Sequence, residues 1–184
     1  MKLEHLRQRL RASGAKPAHE ELVLRNWTRA LPLEAGRSRP ADFFPLELRR
    51  ALPALAEEWR ALARLRAEHA GEDGARLLLE LADGQTVESV LLPKGGLCVS
   101  TQVGCAVGCT FCMTGRDGLL RQLGSAEIVA QVALARSKRT VRKVVFMGMG
   151  EPAHNLDNVL DAIDLLGRLG DIGHKNLVFS TVGD

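Results

Sequence analysis

Large apolar residues recur three and four apart through the first part of the chain: Leu3, Leu6 and Leu10, then Val23, Trp27 and Leu31, then Leu48, Leu52, Leu55, Trp59 and Leu62. That spacing gathers each set on one face of a helix, so residues 1–70 read as a small helical domain. Pro40 and Pro45 break the pattern between helices, and Pro53 is expected to open one, where its missing N–H costs little. Between Gly71 and Gly74 the pattern shortens. Two extended runs, 76–81 and 86–92, flank Asp83-Gly84, a two-residue hairpin signal, and a third, 97–101, follows. Glycines at 104, 108, 115 and 118 then mark a long loop. Beyond it come a helix over 125–137, a strand over 143–147, a helix over 155–169 with Leu156, Val159, Leu160 and Ile163 as its apolar face, and a strand over 176–180. Both strands are continuously apolar at their centres, as parallel strands covered on two sides are. Residues 71–184 therefore read as a hairpin joined to a βαβαβ unit, and the fold class as α/β.

Composition narrows the class. With 46% apolar residues, 26% charged residues and a net charge of +3, the chain is not disordered throughout. The longest apolar runs are a few residues, far short of the ~20 that a membrane helix needs. The first ten residues alternate charge with leucine and carry no signal-peptide pattern, so the expectation is a cytoplasmic protein without a membrane partner. Residues 1–70 hold 14 basic and 9 acidic side chains. Arginine dominates that excess, and its forked donors suit phosphate oxygens, although a charged face is also simply a solvated one. Arg136, Lys138, Arg139, Arg142 and Lys143 form a basic run that reads as a solvated helix end favoured by the dipole, with RNA phosphate contact as the alternative.

The four cysteines, at 98, 105, 109 and 112, bring in the chemistry. In a reducing compartment clustered thiols bind metal or carry redox chemistry rather than form disulfides. Cys105, Cys109 and Cys112 have the spacing C-x3-C-x2-C. Three thiolates hold three corners of a cubane iron-sulfur cluster and leave the fourth iron open, with Phe111 placed to shield it from water. Structural zinc is one alternative, though only Cys109 and Cys112 form a C-x2-C pair; inert buried cysteines and a disulfide pair are the others. Glu88 falls on the strand face opposite Val87, where solvent exposure alone accounts for it. The run Gly148-Met149-Gly150-Glu151-Pro152 follows a predicted strand, at the carboxyl edge where ligands gather in α/β folds, although an ordinary turn uses the same residues.

Four stretches together carry a family resemblance: Thr86 to Leu91 around Glu88, Leu97 to Cys105, Phe111 to Gly115, and Met147 to Pro152. On these the sequence resembles radical S-adenosylmethionine (SAM) enzymes. More narrowly, it resembles the adenine-C2 methyltransferases of 23S ribosomal RNA and transfer RNA, over roughly residues 75 to 181. The resemblance implies the N-terminal part of a partial (β/α) barrel preceded by a small helical domain. It implies that Cys105, Cys109 and Cys112 bind three irons of a 4Fe-4S cluster, with SAM chelating the fourth. Reductive cleavage then gives a 5′-deoxyadenosyl radical, and a cysteine near the C-terminus carries the methyl group. Glu88 matches the proton acceptor and Cys98 the cysteine that resolves the protein-RNA adduct. Gly150 and Glu151 match the run that holds the methionine part of SAM, and Ser180 a SAM-contacting serine. The implied partners are RNA and an electron donor such as flavodoxin. A C8-methylating resistance methyltransferase shares a similar motif set. The chain supplies only three barrel strands and no cysteine after Cys112. The expectation is therefore an N-terminal fragment or truncated product, inactive by itself, with a non-catalytic remnant that binds a cluster, zinc or RNA as the reading from another class.

Overall fold

A computed structural model describes residues 1–183. Leu3, Leu6 and Leu10 are buried along α1 (Leu3–Ala12), and Val23 and Trp27 along α2 (Pro17–Thr28). A four-residue turn, α3 (Pro40–Phe43), leads to α4 (Leu46–Arg60), which buries Leu48, Leu52, Leu55 and Trp59. Trp27 and Trp59 meet with ring centroids 5.1 Å apart. Pro45 is the N-cap of α4, and Pro53 sits inside that helix rather than opening it. Its missing N–H removes one backbone hydrogen bond, but the burial of four large side chains on one stripe carries the helix through.

The helical reading of residues 1–70 holds only as far as Arg60, because Arg64–Ala70 is strand β1. Six of its seven residues are exposed, so its sequence carries no alternation of burial, and pairing with β2 (Ala75–Glu80) decides its conformation. β2 and β3 (Thr86–Leu92) form the expected antiparallel hairpin, with Leu79 opposite Val87. Its loop is one residue longer than the Asp83-Gly84 signal suggests. The Leu81 and Gln85 backbones close it at 2.8 Å, and Gly84 takes a φ of 82° after a turn in which its N–H donates to Leu81. This is the three-residue loop in which a left-handed glycine follows the turn.

Strands β1, β2, β3, β4 (Gly96–Val99), β7 (Lys143–Phe146) and β8 (Leu177–Phe179) lie in that order in one six-stranded sheet. The last three are parallel, with α5 (Ser125–Lys138) and α6 (Leu156–Arg168) as crossovers. The register divides the sheet into two faces. Leu77, Leu79, Val87, Leu91, Leu97, Val99, Val144 and Phe146 are buried on the face towards α5. Arg76, Leu78, Glu88, Val90, Cys98 and Val145 share the other face. The α/β class and the βαβαβ order are as the sequence implies.

Helix α5 packs on the sheet with one side and on α1, α2 and α4 with the other. That position explains its composition: it buries ten of its residues and is apolar nearly all round, as a helix enclosed on two sides must be. Its start is fixed by the chain's first residues, since Ala126 N–H donates to the Met1 carbonyl and Leu3 N–H to Ser125 Oγ at 2.9 Å. Helix α6 faces the core with Val159, Ala162, Leu165 and Leu166, whereas Leu156 and Leu160 are 45% and 50% exposed. The stripe expected from Leu156, Val159, Leu160 and Ile163 is therefore rotated, because the small side chain of Ala162 packs as core together with Leu165 and Leu166. No helix among the described residues is long and apolar enough to cross a membrane.

Candidate functional site

The loop after β4 is less irregular than its glycines suggest. Gln102–Gly104 forms β5 and Leu119–Gln122 forms β6, and the two pair antiparallel to close the base of segment 105–118. Cys105 N–H donates to the Gly118 carbonyl at 3.0 Å, and Cys112 N–H to the Cys109 carbonyl at 3.0 Å. Gly104, at a φ of 76°, lies so close to Gly118 that no Cβ fits between them. Glycine is required there for both its left-handed conformation and its size.

All four cysteines are free thiols; Cys105, Cys109 and Cys112 are half-buried and Cys98 is buried. Hydrogen bonds from Thr114 hold the Cys112 thiol below its ordinary pKa and bias it towards thiolate, the form that binds metal. Burial pushes the Cys98 thiol up, despite a hydrogen bond from the Met147 backbone. Among the described residues no three His, Cys, Asp or Glu side chains are gathered to hold a metal ion. The donor set of the loop nevertheless suits an iron-sulfur cluster with one open iron: three free thiols on one short, glycine-cinched segment, and no fourth ligand of the kind structural zinc takes. Phe111 does not shield the segment, being 90% exposed beside a 66% exposed Met113.

The second part of the site is stitched to the first by backbone. Gly148 N–H donates to the Val99 carbonyl at 2.9 Å, Met149 N–H to Ser100 Oγ at 2.8 Å, and the Met149 carbonyl accepts from both Thr101 and Gln102. The run 148–152 thus lies against the segment that leads into the cysteine loop, at the carboxyl edge of β4 and β7. Glu151 is buried, and its carboxylate accepts from Ala153 N–H at 2.9 Å and Val182 N–H at 3.1 Å. Burial pushes that carboxyl up, but hydrogen bonds from Thr181, Ala153 and Val182 outweigh it and hold the group below its usual range. Ser180 follows the carboxyl end of β8 and stands next to the residues that Glu151 grips.

Glu88 and Cys98 share the open face of the sheet. Cys98 is paired with Val90, which makes Glu88 its diagonal neighbour on the adjacent strand. The Glu88 carboxylate pairs with Arg76 at 3.3 Å and its side chain is 39% exposed. Its carbonyl accepts from Ser100 Oγ at 2.5 Å.

Sequence reasoning missed the residues that hold this frame. Buried Gln131 on α5 accepts from Ser89 Oγ at 2.8 Å and Ser100 N–H at 2.9 Å, and donates to the Ser100 carbonyl at 2.9 Å. Gln102 is fully buried, accepts from Glu151 N–H at 2.8 Å and donates to Gln122 at 2.9 Å. The readable signal was a glutamine among Ala130, Val132 and Ala133, where every neighbour belongs to the core. The basic run is also more than a solvated helix end: Arg136 and Arg139 are half-buried and donate to main-chain carbonyls.

The sequence profile of the Radical SAM superfamily matches residues 99–184. A protein of Aromatoleum aromaticum named a probable RNA methyltransferase is 79% identical over 184 residues, which are all of this chain and 52% of that protein. One of Leptothrix cholodnii with the same name is 73% identical over 185 residues, covering all of this chain and 53% of its own length. The solved structure of a radical SAM methyltransferase from Sphaerobacter thermophilus matches with a TM-score of 0.76 at 30% identity, covering 100% of this chain and 56% of that one. The chain spans about half the length of the curated relatives it matches.

Proposed function

We propose, from the match of residues 99–184 to the Radical SAM superfamily profile, that the chain supplies the cluster-binding and SAM-binding part of an RNA methyltransferase. The reading that its residues support best is methylation of C2 of an adenine in 23S ribosomal RNA or transfer RNA. One observation carries it: the segment 99–102 that leads into the three-thiol loop and the glycine-bearing run 148–152 leave the same edge of one parallel sheet and are bonded to each other through Ser100 and Met149.

In this reading Cys105, Cys109 and Cys112 hold a 4Fe-4S cluster. When bound, such a cluster would supply the electron for reductive cleavage of SAM, received from a donor of the flavodoxin kind. Gly150 and Glu151 hold the methionine part of SAM. Because both carboxylate oxygens of Glu151 are engaged with backbone N–H groups, its side chain serves to fix residues 181 and 182, and with them Ser180, against the SAM run. Glu88 takes the proton from the reacting base, as a carboxylate within reach of that atom can. Cys98, buried with its thiol pushed up in pKa, is the residue placed to resolve the protein-RNA adduct. The protein is assigned to the cytoplasm, where thiols stay reduced.

Joining residues 1–184 to the remaining half of the Aromatoleum aromaticum relative tests this. The chimera, supplied with labelled SAM and RNA under reducing anaerobic conditions, is expected to form 2-methyladenosine. Label appearing as 8-methyladenosine overturns the C2 assignment. No methylation by the chimera, where the intact relative methylates the same RNA, overturns the proposed role of residues 1–184.

A further inference from the structure

At the opposite edge of the parallel strands from the cysteine loop, the carboxyl ends of α2, α5 and α6 enclose a cleft of about 530 Å3. Arg29, Arg136, Arg139 and Arg142 line it, and Asp171 is the one carboxylate among its lining residues. Two of the arginines have structural work. Arg136 donates to the Thr28 carbonyl at 2.8 Å, to Gly170 at 2.6 Å and to Val141 at 3.2 Å. It thereby neutralises the negative ends of α2 and α6. Burial, with the nearby charge of Arg29, holds its pKa below the ordinary value. Arg139 donates through Nη2 to Leu92 and Gly96, but its Nε is buried without a partner.

Arg29 and Arg142 are surplus to that work. Arg29 meets Asp171 only at 3.9 Å, and that carboxylate is 80% exposed. Arg142 has no side-chain hydrogen bond or ion pair among the described residues. A cleft with four guanidinium groups, one solvated acid and spare donors on three of the four is built for a ligand with several anionic oxygens. Guanidinium forks match phosphate oxygens in geometry as well as charge.

We propose that this cleft binds backbone phosphates of the RNA substrate, anchoring the RNA at a distance from the reacting base. The inference rests on the RNA-methyltransferase reading above. The test measures binding of a 23S-type hairpin RNA to the 184-residue chain across a salt series, which needs neither cluster nor SAM. Each arginine removed from a phosphate contact lowers the salt slope by about 1. Arg29→Ala/Arg142→Ala should therefore lower it by about 2 and weaken binding severalfold at low salt. Arg29→Lys/Arg142→Lys should keep most of the slope. Arg37→Ala/Arg50→Ala, an equal loss of charge elsewhere, should leave it unchanged.

An unchanged slope in the Arg29/Arg142 alanine pair overturns the cleft and leaves the RNA reading standing. An equal drop in the Arg37/Arg50 pair also overturns it, by showing a general charge effect. Pyrophosphate binding that the alanine pair abolishes, with RNA binding intact, assigns the cleft to a small free anion and overturns the RNA form. No RNA binding by the unaltered chain overturns both readings.

Discussion

Gly150→Ala is expected to destabilise the chain by about 2–4 kcal/mol, summing a left-handed non-glycine residue and an overpacked contact. Gly150 has a φ of 98°, and a Cβ there would stand 2.5 Å from Gln102 Cβ and 2.8 Å from Gln102 N. Gln102 cannot give way cheaply, because it is fully buried and bonded to both Glu151 and Gln122. The first cost is therefore to the frame that joins the two halves of the site, and lost SAM binding in such a variant would follow from it. Gly84→Ala is the comparison: its φ is 82° and nothing lies within 4 Å of the added carbon. It should show only the backbone cost of about 1–2 kcal/mol. Urea unfolding of the two variants measures the difference, and equal midpoints would show that the contact with Gln102 carries no energy.

Replacing Cys105, Cys109 or Cys112 by alanine is expected to remove nearly all bound iron after anaerobic reconstitution. Loss of an outer-shell partner alone costs about 10–100-fold in metal affinity, and loss of a ligand costs at least as much. Cys98→Ala should retain its iron. Cys98 is buried in β4, opposite Val90 and Val145, and its thiol is held in the neutral form, whereas the other three sit on the glycine-cinched loop and Cys112 is biased to thiolate. Iron loss in Cys98→Ala equal to that in the loop variants would contradict this division of roles.

What the sequence made legible follows from how strongly one physical effect dominated each segment. Leu3, Leu6 and Leu10, or Leu48, Leu52 and Leu55, are large side chains on one stripe, and the helices stand where that stripe predicts. The parallel strands were readable because their centres are continuously apolar, Val144 to Phe146 and Leu177 to Phe179, although β7 is buried there and β8 only half-buried. β1 was not, since Arg64 to Ala70 are helix formers with little buried surface and take their conformation from β2. α6 was found, but its core face was misread because Ala162 packs as core while Leu156 and Leu160 do not. The thiols and the run 148–152 were visible as motifs. The glutamines that bind them into one site were not, because a buried polar side chain is recognised only by its partners, and those partners are distant in sequence: Gln131 with Ser89 and Ser100, Gln102 with Gln122 and Glu151.

In the proposed function, the loop from Cys105 to Cys112 carries an iron-sulfur cluster with one iron open to SAM. The most direct measurement reconstitutes the chain anaerobically, determines iron, sulfide and zinc, and records the electron paramagnetic resonance spectrum of the reduced protein with and without SAM. About four iron and four sulfide per chain are expected, with a spectrum that changes when SAM is added. Stoichiometric zinc without sulfide, or a cluster spectrum indifferent to SAM, would contradict it.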